Sequence, residues 1–481
     1  STSTSGTFSP NIVLSGPTTN SVVMNLYHAT QSGAVSVSYG TTTGNYSTTT
    51  SVSNLVADSP LTVSLTGLDA DTQYFYKVNL VSGSTVSAQS PEYKFRTSRP
   101  AGNGFTFVVQ ADSHMDHLSD PDLWKQTLNN MLLDSPDFMI DLGDTFMTEK
   151  YVTPLDPNVL HQRSPFWPAT NEPDLIARYK FELPYFGIAT HSVPLFLANG
   201  NHDAELGWLV SATEAPLKTW ATNARKNYFS NGISNSSTFY TGDTATDSIL
   251  NSQRAAYYSW TWGDALFVVL DPYWFSTKSP ASRSSTNLGT SGWYMTLGNA
   301  QYYWLADVLT KSSAKYKFVF LHNLVGGMPM SGDGKAATPY VVPDPLSPGG
   351  SMRGGVEAAK YFEWGGKNPD LTDGFYSNVA GNNHTGWPKT IHQLLVDNKV
   401  TAVFHGHDHL YANQVLDGIR YLEVPQPSQK DTSLKYSTDN ALEAGYLSTS
   451  GPIIGNSGHI RVTVSSTGVK SEYVRAWRPA G

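Results

Sequence analysis

The chain contains no cysteine, which excludes disulfides, thiolate nucleophiles and zinc-finger ligands together. Charge is sparse as well: Asp, Glu, Lys and Arg make up 15% of the residues, and 39 acidic against 31 basic side chains leave a net charge of −8. No basic block is present to track a phosphate backbone, so a nucleic-acid polymer is not an expected partner. No apolar run approaches the roughly 18 residues needed to cross a bilayer as a helix. Internal repeats are absent, and the only compositional bias is toward Ser and Thr near the start.

Length, by contrast, is ample. At 481 residues the chain exceeds the ~250–300 at which one hydrophobic core stops growing, so two domains are expected. Texture changes near Arg99-Pro100-Ala101-Gly102. Before that point, residues 21–27, 34–39, 61–65, 73–80 and 92–96 form short β-branched and aromatic runs between turn residues, which predicts a small all-β sandwich over 1–98. After it, over 99–481, strand-length runs alternate with amphipathic helical patterns at 121–133, 299–309 and 387–396, which predicts a layered α/β domain. Strand character returns over 418–424 and 459–477. Two stretches, 204–253 and 325–384, are too long for ordinary connections and read as lids or pocket walls. The start, Ser1-Thr2-Ser3-Thr4-Ser5-Gly6, reads as a secreted or periplasmic chain whose signal peptide has been removed.

Five apolar runs, 105–110, 138–142, 193–198, 317–321 and 401–404, each end in hard-metal or imidazole donors. These are Asp112-Ser113-His114, Gly143-Asp144, Gly200-Asn201-His202-Asp203, Leu321-His322-Asn323 and Gly406-His407-Asp408-His409. The donors therefore belong on the rim of strand C-termini where open α/β sheets place their sites. Asp112 and His114, like His407 and His409, are two apart, so an extended backbone puts both on one side within reach of one ion. Asp144 follows a glycine at a turn, where a single carboxylate could bridge two ions. Taken singly, each segment has a bland alternative: Gly-Asp as a turn or helix cap, His202 as a satisfied strand-end histidine, Asp203 as a local cap. Five such ends in one domain outweigh those alternatives.

The order D-x-H, G-D, G-N-H-D, H and G-H-x-H resembles the calcineurin-like metallophosphoesterase superfamily. The N-terminal segments Tyr39-Gly40, Leu65-Thr66-Gly67-Leu68, Thr72-Gln73-Tyr74-Phe75-Tyr76 and Phe95-Arg96-Thr97 resemble the fibronectin type III-like domain of purple acid phosphatases. The resemblance implies a layered α/β/β/α sandwich holding two transition-metal ions, Fe, Mn or Zn. One would be bound by Asp112, His114, Asp144 and His409, the other by Asp144, Asn201, His322 and His407. The pattern departs from purple acid phosphatases at Met147, three residues after the bridging aspartate, where those enzymes carry an iron-binding tyrosine. His114 also fills a position they leave without histidine. A ferric-tyrosinate centre is therefore not expected.

Two cations can acidify a water and clamp phosphoryl oxygens. The expected function is thus hydrolysis of a small-molecule phosphomonoester or phosphodiester by metal-activated hydroxide. His202 would protonate the leaving oxygen, and Asp203 would orient His202 through its other ring nitrogen. Asn201, His117, Arg353 and His384 are candidate substrate contacts. The alternatives are a non-catalytic binding or adhesion protein on the same scaffold and, among enzymes, a nucleotidase or phosphotriesterase. That every candidate ligand position is filled favours turnover.

Overall fold

Along the central strands most residues are apolar and buried, and alternate residues face different layers. In Phe105–Gln110, Phe107 and Val109 join one core cluster and Val108 another; Phe138–Asp141, Ala265–Val269 and Tyr316–Phe320 divide the same way. Strands buried on both faces need a layer on each side. The computed structural model, which describes residues 6–116, 119–148, 169–207, 215–229, 238–277, 292–329, 352–376, 384, 386–430, 434–446, 451–455 and 457–477, shows how that need is met. One eight-stranded sheet runs in the order Val469–Ala476, Ser457–Val464, Phe105–Gln110, Phe138–Asp141, Leu195–Leu197, Asn11–Ser15, Ser21–Tyr27, Leu61–Thr66. A second contains Ala265–Val269, Tyr316–Phe320, Ala402–His405 and Ile419–Glu423 as consecutive parallel neighbours. Between the sheets lies an aromatic layer: Phe107 meets Phe267 edge-on at 5.1 Å, Phe196 stacks on Trp260 at 3.9 Å and Phe320 on Phe404 at 4.9 Å. Such pairs add about 0.5–1.5 kcal/mol each beyond the area they bury.

Helices cover the outer faces. Pro121–Leu133 starts where Asp120 accepts hydrogen bonds from the N–H groups of Asp122 and Leu123, and buries Leu123, Trp124, Leu128 and Met131. Glu172–Thr190, absent from the sequence reading, buries Leu175, Tyr179, Leu183 and Phe186 at helical spacing, with Pro184 inside it. Among the described residues no helix is long and apolar enough to cross a membrane.

Of the two readings of 204–253, lid or pocket wall, its helical part fits the second. Ala215–Phe229 packs Leu217, Ala221, Ala224 and Tyr228 into the main core. Arg225 makes a buried pair with Glu205, Nε to Oε1 at 2.6 Å, and breaking a buried pair costs about 3–5 kcal/mol. This helix is a wall. The stretch 330–351, at the centre of the other insertion, lies outside the described residues.

The N-terminal strands have a core of their own, from Phe8 to Phe95, yet their sheet does not stop at a boundary. Asn11–Ser15 pairs antiparallel with Ser21–Tyr27 and, through Ser15 and Leu195, parallel with Leu195–Leu197. Thr190 Oγ1 donates to the Ile12 carbonyl at 2.8 Å, Tyr76 to the His191 carbonyl at 2.6 Å, and Lys180 pairs with Asp58 at 2.8 Å. The sandwich therefore covers the edge of the strand that leads to Asn201 and His202. Removing residues 1–98 uncovers that edge, and the truncated chain is expected to aggregate and to lose its cooperative thermal transition. A truncated protein melting as the full chain does would show the sandwich to be dispensable.

Candidate metal centre

All five donor segments emerge at one rim, immediately beyond Phe105–Gln110, Phe138–Asp141, Leu195–Leu197, Tyr316–Phe320 and Ala402–His405. Their backbones turn sharply: φ is 62° at Asp112, 55° at His114, 55° at Asp144, 82° at His407 and 57° at His409. Left-handed conformations cost non-glycine residues about 1–3 kcal/mol each and concentrate at functional sites. Close packing accounts for two of the glycines. A Cβ on Gly200 would lie 2.1 Å from the Asp144 nitrogen, and one on Gly406 would lie 2.6 Å from Asp112 Oδ2.

Each central carboxylate is held by one oxygen and presents the other. Asp112 Oδ2 accepts the His407 N–H and Asp144 Oδ1 the His202 N–H, both at 2.8 Å. Asp112 Oδ1 stands 3.6 Å from His114 Nε2 and 3.5 Å from His409 Nε2. Asp144 Oδ2 stands 3.1 Å from His322 Nε2 and 4.0 Å from His407 Nδ1. Two triads result, Asp112·His114·His409 and Asp144·His322·His407, and the 3.7 Å from His114 Nε2 to Asp144 Oδ2 joins them. Several imidazoles are aimed by their second nitrogen. His322 Nδ1 donates to the Leu142 carbonyl at 3.0 Å, His114 Nδ1 lies 3.5 Å from Asp116, and His409 Nδ1 lies 3.4 Å from the Tyr436 hydroxyl. This is the pattern by which outer groups fix the tautomer of ligating histidines.

The donors suit a pair of metal ions. Asp112 Oδ1 and Asn201 Oδ1 are both buried without a hydrogen-bond partner among the described residues, a cost of about 1–3 kcal/mol each that a cation would remove. Carboxylate, amide and imidazole donors together match first-row divalent or trivalent ions.

Electrostatics point the same way. Burial alone would raise the Asp112 and Asp144 carboxyls, but His322 and the other imidazoles outweigh it and hold both below the usual range. Burial would lower His114 and His322, but the adjoining carboxylates hold His114 well above its usual value and His322 up to about 9. Burial, with the charge of the neighbouring imidazole, pushes His407 and His409 down. The carboxylates thus favour a proton on His114 and on His322, in the place a cation would take.

Other sequence candidates fall differently. His202 lies at the rim, its side chain 18% exposed and its Nε2 4.0 Å from Asp144 Oδ2, outside both triads. Asp203 was expected to orient the His202 ring. Its carboxylate instead accepts backbone N–H groups from Asp144, Thr145, Phe146 and Gly200 at 2.8–3.1 Å, so it clamps the Asp144 turn to the Asn201 turn. His384 is corrected as well. It is buried, with Nε2 2.9 Å from Glu363 and Nδ1 3.0 Å from the Phe375 carbonyl, leaving no ring nitrogen for a phosphate. Arg353 is partly exposed, and its charge acts on both His407 and His409. His117 lies outside the described residues. Met147 is fully buried at the position of the missing tyrosine. Asp116 escaped the sequence reading, although its place two residues after His114 was a usable signal; nothing in the sequence marks Tyr436.

A family model described as calcineurin-like phosphoesterase matches residues 105–411. Among solved structures, that of PhoD is similar over 96% of this chain and 88% of that chain, with a TM-score of 0.62 and 14% identity. Purple acid phosphatase PPD1 from yellow lupin (Lupinus luteus) seeds is similar over 97% of this chain and 72% of that chain, with a TM-score of 0.54 and 13% identity. At such identities the likeness is one of fold. No curated protein sequence matches the chain.

Ligating imidazoles must be deprotonated, so metal binding displaces the protons on His114 and His322. At pH 7 about two protons are expected to leave as two ions bind, and affinity at the His322 site is expected to rise with pH up to about 9. Titration calorimetry in buffers of differing ionisation enthalpy checks this. Asp144→Ala should lose both ions and His114→Ala chiefly one, as read by metal analysis. Binding without proton release, or retention of both ions by Asp144→Ala, would contradict the assignment.

Proposed function

The chain belongs to the calcineurin-like phosphoesterase family, and we propose that it is a phosphoester hydrolase with two metal ions. One is held by Asp112, His114, Asp144 and His409, the other by Asp144, Asn201, His322 and His407. The observation that carries this reading is Asp144 Oδ2, a buried carboxylate oxygen faced by imidazole nitrogens of both triads, His114 at 3.7 Å and His322 at 3.1 Å. When bound, such ions supply an activated water and a concentrated positive field for phosphoryl oxygens. The remaining work falls to the chain's own side chains. His202 reaches the rim beside the shared carboxylate while its backbone is fastened to Asp144, which supports a role for it in giving a proton to the departing oxygen. Arg353 approaches from the His407 and His409 side, where a guanidinium can take non-bridging phosphoryl oxygens in a two-pronged contact. Asp203 keeps the Asp144 and Asn201 turns in register. The substrate class is a small phosphomonoester or phosphodiester, and the chain comprises a sandwich over 1–98 and a catalytic unit over 99–481.

His202→Ala should keep its metal and lose roughly 10²–10⁴ in kcat, the range of a positioned general acid. The loss should be larger on alkyl than on aryl phosphates, because an alkoxide needs the proton and a nitrophenolate scarcely does. Steady-state kinetics on both ester types, with metal analysis, decide the matter. Equal loss on both, with a raised KM, would make His202 a phosphate ligand, and loss of metal would make it a metal ligand.

A further inference from the structure

We propose that Asp408, which sits between His407 and His409, is a positioning residue that holds Arg353 at the metal centre, with Tyr446 and Glu423 as its supports. The inference rests on the reading of Arg353 as a phosphate contact. Asp408 Oδ2 accepts the Gly354 N–H at 2.8 Å and the Tyr446 hydroxyl at 3.0 Å. The Asp408 N–H donates to Glu423 Oε1 at 3.0 Å, and Glu423 Oε2 lies 2.5 Å from His405 Nδ1 and 3.3 Å from the same Tyr446 hydroxyl. All four side chains are buried. One carboxylate therefore ties the turn that carries two imidazoles to the loop that carries the arginine.

That loop has little freedom to settle elsewhere. The Arg353 carbonyl accepts the Met328 N–H at 2.9 Å, while the next N–H along the chain is the one bound to Asp408. Farther on, Gln414 accepts the Val356 N–H at 3.0 Å and donates to Glu357 at 2.9 Å. A backbone held on both sides of Arg353 narrows the space its guanidinium can sample, and pre-organisation of that kind strengthens binding by reducing the entropy lost. Asp408 Oδ1 is buried with no hydrogen-bond partner among the described residues. The Arg353 guanidinium itself pairs with Glu443, Nη1 to Oε2 at 3.8 Å, so Asp408 acts on it through the backbone that the Gly354 N–H fastens.

The test is a double-mutant cycle read by the binding of inorganic phosphate to the metal-loaded full chain, measured by titration calorimetry with metal content determined for each variant. Asp408→Ala should weaken phosphate about tenfold when Arg353 is present and less than about twofold in the Arg353→Ala background. Tyr446→Phe, which leaves the carboxylate in place, should show the same dependence at about threefold. Metal content should stay at two in every variant. Equal weakening in both backgrounds would overturn the proposal, because Asp408 would then act without Arg353. Loss of metal from Asp408→Ala would overturn it too, by showing that Asp408 serves the neighbouring imidazoles. An Arg353→Ala variant that binds phosphate as the parent does would remove its basis. Phosphate binding is readable without turnover, so failure of the parent to hydrolyse any ester would sink the hydrolase reading and leave this result to stand or fall by itself.

Discussion

The site depends on two buried carboxylates that are each tethered by one oxygen. Asp112 and Asp144 spend that oxygen on a backbone N–H from a distant turn, His407 and His202 respectively. The other oxygen is left among imidazoles. A carboxylate free to rotate could satisfy both oxygens locally and would collapse the cluster. Held at one end, it keeps an acceptor aimed at a space lined by nitrogen, which a cation fills at lower cost than protons do. The same two bonds fix the spacing of the turns, so ligand geometry and loop geometry follow from one constraint.

That constraint is maintained against strain. Five of the proposed ligand residues adopt left-handed backbone conformations, and such conformations persist only where the surroundings over-determine them. Here the surroundings are the aromatic layer between the two sheets and the Asp203 carboxylate, which collects four backbone N–H groups from the Asp144 and Asn201 turns. Bonds of this kind are costly to lose, about 1–3 kcal/mol for each buried group left unpaired. They make a rigid floor of two chain segments that no strand hydrogen bond could join.

The N-terminal sandwich belongs to the same mechanical system. Its first strand extends the catalytic sheet beside Leu195–Leu197, so the strand that delivers Asn201 and His202 has a neighbour on each side. Lys180 in the middle of one long helix, and Thr190 and His191 at its end, are all bonded to sandwich residues. Although it contributes none of the proposed ligands, the sandwich reaches the site through the sheet it completes.

What the sequence determined by itself is local chemistry and its order along the chain. Strands at 105–110, 138–142, 193–198, 317–321 and 401–404 were legible because continuous apolar runs mark strands buried on both faces. The donors at their ends were legible because Asp, Asn and His are unusual there. Glu172–Thr190 was harder to read because Pro184 interrupts it, and Ala215–Phe229 because it lies in a stretch read only by its length, as a lid or pocket wall. Tertiary structure decided which oxygen of each aspartate is free, that Asp203 clamps turns instead of a ring, that His384 is enclosed by Glu363 and Phe375, and that Asp408 links the loop of Arg353 to the site. The reason is distance along the chain. The bond from His407 to Asp112 joins residues 295 apart and that from Asp144 to Asp203 residues 59 apart, and no local pattern in the sequence encodes which partner a buried polar group will meet.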